Sequence, residues 1–231
     1  MPADDVAAVL VEPIQGEGGY VLPPPGFLAM LRRWSRDVGA VLVFDEIQSG
    51  YGRTGRFLAC EWDEVVPDIV VVGKSMANGL PISAIVADRQ LFEEVPAGGL
   101  GGTFTGNPVA CAAGLAVLDV LSDQVLAQAR AMGEVLSARL HEITRTSRNV
   151  GDVRGRGPMM AMDIVTDEHS KEPAPEVAAA ILREARSEGL LLINAGAKKN
   201  VVRVLPPINV DSDTLEAAMS RLSAALQRAS I

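Results

Sequence analysis

Three polar residues follow three successive strand-like segments of this 231-residue chain. Glu12 follows the first apolar run, Asp45 the second and Lys74 the third, at spacings of 33 and 29 residues. Each spacing is about the length of one strand–helix–strand unit. Because open parallel sheets bind ligands at the carboxyl ends of their strands, we expect two carboxylates and one amine to meet at one sheet edge.

The positions of Lys74 and Asp45 favour chemistry that neither residue would indicate alone. Lys74 follows an apolar strand and is expected to be partly buried, which favours the neutral, nucleophilic amine. Asp45 follows another apolar run, where a carboxylate needs a cationic partner such as a protonated pyridine nitrogen. The alternatives are a lysine that emerges into solvent and a structural aspartate such as a helix N-cap.

Three other segments could contribute to the same site. Residues 101–108 precede an alanine-rich helix, and hydroxyls and N–H groups at a helix start suit a phosphate, although ordinary capping is the alternative. Arg203 lies inside an apolar strand, where it requires a partner and could bind a carboxylate, unless it faces water on an edge strand. The glycine-rich residues 45–55 predict either a loop lining the site or a plain surface loop.

The elements that must position these residues alternate between strands and helices, which is typical of a parallel sheet covered on both faces. The first strand, 6–11, has the pattern of a fully buried strand and almost no lead-in, so we expect the chain to start mid-domain. The patterns divide the chain into residues 1–121 and a smaller α/β domain, 122–231. The predicted strands are 6–11, 41–44, 69–72, 82–87, 159–164, 190–193 and 201–205, and the predicted helices are 27–38, 108–121, 124–146, 175–188 and 212–228, with an exposed loop at 166–175.

Composition excludes several classes of function. The net charge is −8 and no basic cluster exceeds two residues, so nucleic acid is not an expected partner. Cys60 and Cys111 lack metal-ligand spacing, so we expect no metal, and so few cysteines favour a reducing cytoplasm. We expect no membrane span and no signal peptide, because the apolar runs are short and the N-terminus is acidic.

In order and spacing, these segments together resemble the class III, pyridoxal phosphate-dependent aminotransferases of fold type I. The resemblance runs from Val6 to about Leu226 and implies a partial large domain with a mainly parallel sheet, followed by the small C-terminal α/β domain. It rests on Glu12–Gly19, Phe44–Gly50, Gly73-Lys74, Gly102–Phe104, Gly106–Pro108, Arg154–Gly157 and Arg203 ahead of Pro206-Pro207.

The resemblance implies a role for each cofactor-binding residue. Lys74 resembles the lysine that forms the Schiff base with pyridoxal 5'-phosphate, and Asp45 the partner of the pyridinium nitrogen. Ile47 resembles the residue that packs on the ring, and Gln48 the one that contacts its phenolic oxygen. Thr103 resembles the residue that binds the cofactor phosphate of the neighbouring subunit, which implies a homodimer with shared active sites.

The resemblance also implies the substrates. Arg203 is similar to the arginine that holds the α-carboxylate of glutamate or 2-oxoglutarate, and Glu17 to the glutamate that pairs with it when the other substrate lacks this group. Glu12 resembles a second acidic residue of the substrate pocket. The likeness is greatest to 4-aminobutyrate transaminases, which pass an amino group from an ω-amino acid to 2-oxoglutarate, and ornithine-type and acetylornithine-type enzymes are the alternative within the class.

The same resemblance implies that the first part of the large domain is absent from the chain. That part grips the cofactor phosphate and stacks an aromatic residue on its ring. We therefore expect a long unpaired sheet edge and little activity from this chain alone. The alternative function is a catalytically inactive fragment or an interaction domain.

Overall fold

The computed structural model describes residues 2–93, 95–99, 101–145, 147–167 and 169–229. The chain divides into two compact units. The first unit contains Met1–Pro13 and Pro23–Leu126, and the second contains Ile14–Leu22 and Ala127–Ile231. The domain boundary between residues 121 and 122 stays a prediction, and nothing in the sequence pattern had assigned the segment 14–22 to the second unit.

The first unit is built on a four-stranded sheet. Its strands lie in the order β1 (Ala8–Val11), β2 (Val41–Asp45), β3 (Ile69–Val72) and β4 (Ala84–Ala87). The pairs β1–β2 and β2–β3 are parallel, and β4 is antiparallel to β3. Helix α1 (Phe27–Val38) connects β1 to β2, as predicted, and ends where Gly39 adopts a φ of 71°, a left-handed conformation that glycine accepts at low cost.

The expectation of a mainly parallel sheet is confirmed. The fourth strand is antiparallel, because only a short 3-10 turn and loop separate it from β3 and a parallel pair needs a longer crossover. One expectation about this sheet is wrong. The first strand is not fully buried: among the described residues β1 pairs with β2 alone, and the Leu10 side chain is 66% exposed. The core of the unit lies instead between α1 and β2, around Leu28, Leu42, Phe44, Cys60 and Val65.

Three further helices follow the sheet: α2 (Arg89–Glu93), α3 (Pro108–Val120) and α4 (Asp123–Thr144). Helix α3 is apolar apart from the exposed Asp119, and it exposes Val109, Leu115 and Val120. No single helix in the described residues is long and apolar enough to cross a membrane; α3 and α4 meet the length and composition criteria only as a pair bent by 74°.

The second unit is an antiparallel sheet with two C-terminal helices and most of α4, which contributes Leu136 and Leu140 to the core. The strands lie in the order β5 (Val150–Arg156), β6 (Met159–Ile164), β8 (Val201–Val204) and β7 (Ile193–Ala195). Helices α5 (Pro175–Ser187) and α6 (Ser212–Ala229) pack together, and their buried faces share a core with β6 and β8. This arrangement confirms the predicted α/β character of the C-terminal region.

Two strand predictions in this unit need correction. Strand β5 was not predicted, because its sequence VGDVRGR combines glycines with charges and lacks apolar alternation. The run predicted as a strand at 190–193 forms one only from Ile193 onward. Leu190 and Leu192 instead pack against the core before the strand begins, whereas Leu191 is exposed.

Candidate active site

The carboxyl ends of β1, β2 and β3 bring three of the predicted residues to one edge of the first sheet. Val11 lies opposite Phe44, so Glu12 continues from β1 beside the end of β2. Asp45 lies opposite Val71, and Val71 precedes Lys74 by three residues. The parallel register therefore places an acid, an acid and an amine after three neighbouring strands, which is the edge where open sheets bind ligands.

Asp45 is half-buried and begins the turn that carries the next two predicted residues. Its Oδ1 accepts a hydrogen bond of 3.0 Å from the backbone N–H of Ile47. The Ile47 side chain lies beside Gly73, where an added Cβ would be 3.5 Å from Ile47 Cγ2. Ile47 thus packs against the backbone directly before Lys74, and this contact links the turn after β2 to the turn after β3.

Lys74 is exposed, so the expectation of a partly buried amine is wrong for this unit. The chain leaves the sheet immediately after Gly73 and forms a 3-10 turn, Lys74–Ala77, with Lys74 at a φ of 46°. Few residues other than glycine adopt this left-handed conformation, and such outliers are concentrated at functional sites.

Glu46 is a buried residue of this region that sequence reasoning missed. Its carboxylate accepts hydrogen bonds from the Ser49 hydroxyl, from the Ala59 N–H at 3.0 Å and from the Cys60 N–H at 2.8 Å. Burial, and secondarily the Glu46 carboxylate, raises the pKa of the Cys60 thiol to about 12. The carboxylate ties the glycine-rich loop after β2 to residues ten or more positions later, a pairing that carries no signal in the sequence.

Thr103 is exposed in the turn that precedes α3. The expectation that this helix start offers N–H groups to a phosphate is wrong for the first turn, because Asn107 Oδ1 accepts from Val109 at 3.0 Å and from Ala110 at 3.2 Å. The ordinary capping alternative is therefore the one observed. Leu100, which directly precedes this segment, lies outside the described residues.

Arg203 lies on β8, an interior strand of the second sheet, and is only 9% exposed. Its Nη1 is 2.6 Å from Glu17 Oε1, and its Nη2 donates to the Asn194 carbonyl at 3.2 Å. The guanidinium also lies 5.7 Å from the ring centroid of buried Tyr20, within cation–π range. An arginine on an edge strand facing water, the alternative considered from the sequence, is therefore excluded.

Arg154 anchors the segment that carries Glu17. Its Nε donates to the Gly19 carbonyl at 2.9 Å, and its two Nη atoms pair with Asp152 and Asp163. Burial by itself would lower the pKa of the Arg154 guanidinium, but the hydrogen bonds to Asp163 and Asp152 outweigh burial, and the pKa is raised above its usual value. In the sequence, Arg154 was part of a motif and had no assigned role.

The first unit also contains a groove that lies away from the predicted catalytic residues. An open groove of about 1060 Å³ in the first unit lies at the amino-terminal ends of β2 and β3, the opposite end of the strands from Lys74. Neither Asp45 nor Lys74 lines this groove, so it is not the candidate active site. In the described part of the chain, no group of three or more His, Cys, Asp and Glu side chains could hold a metal ion.

Comparison with known proteins identifies the family. The sequence profile of the class-III aminotransferases matches residues 1–226. The 4-aminobutyrate aminotransferase of Mycobacterium leprae is 39% identical over 96% of this chain and 50% of its own length. The 5-aminovalerate aminotransferase of Pseudomonas aeruginosa is 40% identical over 95% of this chain and 52% of its own length.

Among solved structures, the ornithine aminotransferase of Toxoplasma gondii, with partial occupancy of pyridoxal phosphate at its active site, superimposes with a TM-score of 0.88. It shares 32% identity and covers 98% of this chain and 52% of its own. The chain spans about half the length of these relatives. The chain therefore belongs to the class-III aminotransferase family, whose cofactor is pyridoxal 5'-phosphate.

Proposed function

We propose that this chain carries the lysine-bearing part of a transaminase that moves an amino group from an ω-amino acid, such as 4-aminobutyrate, to 2-oxoglutarate. The observation that carries the proposal is the placement of Asp45 and Lys74 after adjacent parallel strands of one sheet. The relatives named for 4-aminobutyrate and 5-aminovalerate support the donor, since both names refer to ω-amino acids.

The residues at this edge fit the cofactor by their chemistry. Lys74 supplies the primary amine that attaches the cofactor aldehyde, and half-buried Asp45 supplies a carboxylate for a ring nitrogen. Ile47, which packs beside Gly73, would pack on the cofactor ring, and Gln48 would contact its phenolic oxygen. Thr103 binds the phosphate of the neighbouring subunit through its hydroxyl, since Asn107 occupies the N–H groups at the start of α3.

Pyridoxal phosphate, when bound, supplies an electron sink for the electron pair left on the substrate carbon after its proton is removed. Lys74 Nζ removes that proton and later returns one, acting as general base and then general acid. Asp45, whose Oδ1 accepts the Ile47 N–H at 3.0 Å, supplies the carboxylate that would hold a proton on the ring nitrogen.

The substrate carboxylate is held by the second unit. Arg203 binds the α-carboxylate of 2-oxoglutarate or glutamate in a paired geometry that guanidinium favours. When the donor has no α-carboxylate, Glu17 neutralises Arg203 through the contact at 2.6 Å, so a buried cation is not left unpaired. Glu12, which directly follows β1, is the second acidic residue proposed to contact the substrate.

We further propose that the enzyme works as a homodimer in the cytoplasm. The exposed apolar side chains of α3, including Leu115 and Val120, form the kind of surface that a partner subunit covers. Free Cys60 and Cys111 are consistent with a reducing compartment. The same apolar surface would also serve the alternative function, an interaction domain without catalysis.

The proposal is tested by measuring amino transfer to 2-oxoglutarate. The chain is assayed alone and together with a polypeptide equivalent to the half of its relatives that it does not cover. We expect weak turnover alone and, in the pair, faster reaction with 4-aminobutyrate than with ornithine or acetylornithine. A faster reaction with ornithine or acetylornithine would favour that alternative within the family. No amino transfer in the pair would support the alternative that the chain is a catalytically inactive fragment.

A further inference from the structure

The backbone of the segment that carries Glu17 is fixed at two points within the second unit. The Glu17 carbonyl accepts a hydrogen bond of 2.9 Å from the Gly196 N–H. Two residues later, the Gly19 carbonyl accepts one of 2.9 Å from Arg154 Nε. The Glu17 side chain is 75% exposed, and an exposed ion pair is weak when nothing restrains its partners.

Gly19 lets this segment lie directly on β8. A Cβ at this position would be 2.8 Å from Val201 Cγ2 and 3.2 Å from Arg154 Nη2, and Gly19 has a φ of +104°. Val201 stands two residues before Arg203 on the same strand. The contact therefore sets the distance between the Glu17 backbone and the Arg203 guanidinium.

Arg154 is itself held rigidly. Its Nη1 lies 2.9 Å from Asp152 Oδ2 and 2.8 Å from Asp163 Oδ2, and its Nη2 lies 2.9 Å from Asp163 Oδ1. Asp163 pairs with Val201 in the register of β6 and β8. Since the guanidinium is planar, two carboxylates that fix its Nη atoms also fix the direction in which Nε donates.

We propose that Arg154 is a positioning residue that keeps the Glu17 carboxylate at Arg203 until a substrate carboxylate replaces it. This inference rests on the proposed function, which gives the Glu17–Arg203 pair its role in accepting two kinds of substrate. A tethered carboxylate competes for Arg203 at a high effective concentration. Without the tether, Glu17 competes less well, and Arg203 binds external carboxylates more tightly while discrimination in favour of ω-amino donors falls.

The tether is tested by amide hydrogen exchange on the full chain. In Arg154→Met, we expect the N–H groups of Gly19 and Gly196 to exchange on the order of 10-fold faster, the effect of losing one charge-assisted hydrogen bond, while β6 and β8 change little. The matched control is Arg139→Met, because Arg139 also bridges two carboxylates but does not contact this segment. Uniformly faster exchange across the second unit, or no change at Gly19 and Gly196, would overturn the proposal.

Arg154→Met leaves the Asp163 carboxylate without its main partner, so the variant could fail to fold. The double variant Arg154→Met/Asp163→Asn also removes the charge of Asp163, so Asp152, whose side chain is 51% exposed, is the carboxylate that loses its Arg154 partner. It is expected to show the same local acceleration at Gly19 and Gly196. A folded double variant that keeps normal protection there would overturn the proposal.

A second measurement links the tether to carboxylate recognition. The affinity for glutarate, a dicarboxylate probe, is measured by NMR titration of the Arg203 Nε–H signal. We expect Glu17→Gln and Arg154→Met both to tighten glutarate binding, by roughly 3- to 10-fold, and Arg139→Met to leave it unchanged. Tightening is diagnostic, because the loss of a positive charge or of structure would weaken anion binding.

The outcomes separate the two claims. If Glu17→Gln tightens glutarate binding and Arg154→Met does not, the positioning role is wrong while the carboxylate switch stands. If Glu17→Gln has no effect, the switch assigned under the proposed function is wrong. In that case, the amide exchange rates of Gly19 and Gly196 in Arg154→Met alone test whether Arg154 restrains the segment that carries Glu17.

Discussion

Replacing Glu46 with glutamine should strongly destabilise the first unit, although the change removes only one charge. The carboxylate of Glu46 is 1% exposed and accepts three hydrogen bonds, two of them from the backbone N–H groups of Ala59 and Cys60. In either orientation, the glutamine NH2 group would face one of those N–H groups and leave it unsatisfied. The unsatisfied N–H group lowers the free energy of unfolding by about 1–3 kcal/mol. The weakening of two charge-assisted hydrogen bonds brings the total loss to about 3 kcal/mol.

The assay is urea denaturation followed by tryptophan fluorescence. The two tryptophans, Trp34 and Trp62, both lie in the first unit, so the signal reports that unit directly. The matched control is Glu61→Gln, because Glu61 Oε1 accepts one N–H, from Leu58, at an exposed position. We expect Glu61→Gln to cost less than about 1 kcal/mol. Equal midpoints for the two variants would refute the reasoning.

Three further predictions concern single residues. Because the pKa of the Cys60 thiol is raised from 9.0 to about 12, the folded chain keeps a proton that the unfolded chain releases, so stability should fall as pH rises from 9.0 toward about 12. In Cys60→Ala, the free energy of unfolding from urea titrations should depend less on pH across this range. The same pH dependence in the variant and the parent chain would contradict the prediction. Asn107→Ala should cost about 1 kcal/mol, since it removes the cap of α3, and a neutral effect on the same fluorescence transition would count against the cap. Gly133→Ala should destabilise the second unit, although alanine normally favours a helix, because the new Cβ would lie 2.4 Å from Gly157 Cα. A raised melting temperature by circular dichroism would show that inference to be wrong.

The sequence predicted the edge of the first sheet because apolar runs and their spacing report strands directly. Asp45 and Lys74 end those runs, so their shared edge followed from periodicity. The exposure of Lys74 did not follow, since it depends on a left-handed turn that begins after Gly73. The antiparallel direction of β4 was missed because periodicity shows that a strand exists and says nothing about its direction.

The contacts around Arg203 were less accessible from the sequence. An arginine inside an apolar strand signals that a partner exists, but Glu17 lies 186 residues away, and only the family resemblance pointed to it. Strand β5 escaped prediction because it lacks apolar alternation: its charged residue Arg154 pairs with Asp152 of the same strand and donates to the Gly19 carbonyl. The sequence left open whether the start of α3 is capped or free to bind phosphate, and the structure shows that Asn107 Oδ1 caps the N–H groups of Val109 and Ala110.

The most direct test of the account is to find which lysine reacts with pyridoxal phosphate. The chain has only four lysines: Lys74, Lys171, Lys198 and Lys199. The chain is incubated with limiting cofactor, reduced with borohydride to make the linkage permanent, and mapped by mass spectrometry, with Lys171→Arg as a control. The account predicts substoichiometric labelling concentrated on Lys74, abolished in Lys74→Arg and weakened in Asp45→Asn. Label spread evenly over the four lysines, and unaffected by Asp45→Asn, would contradict it.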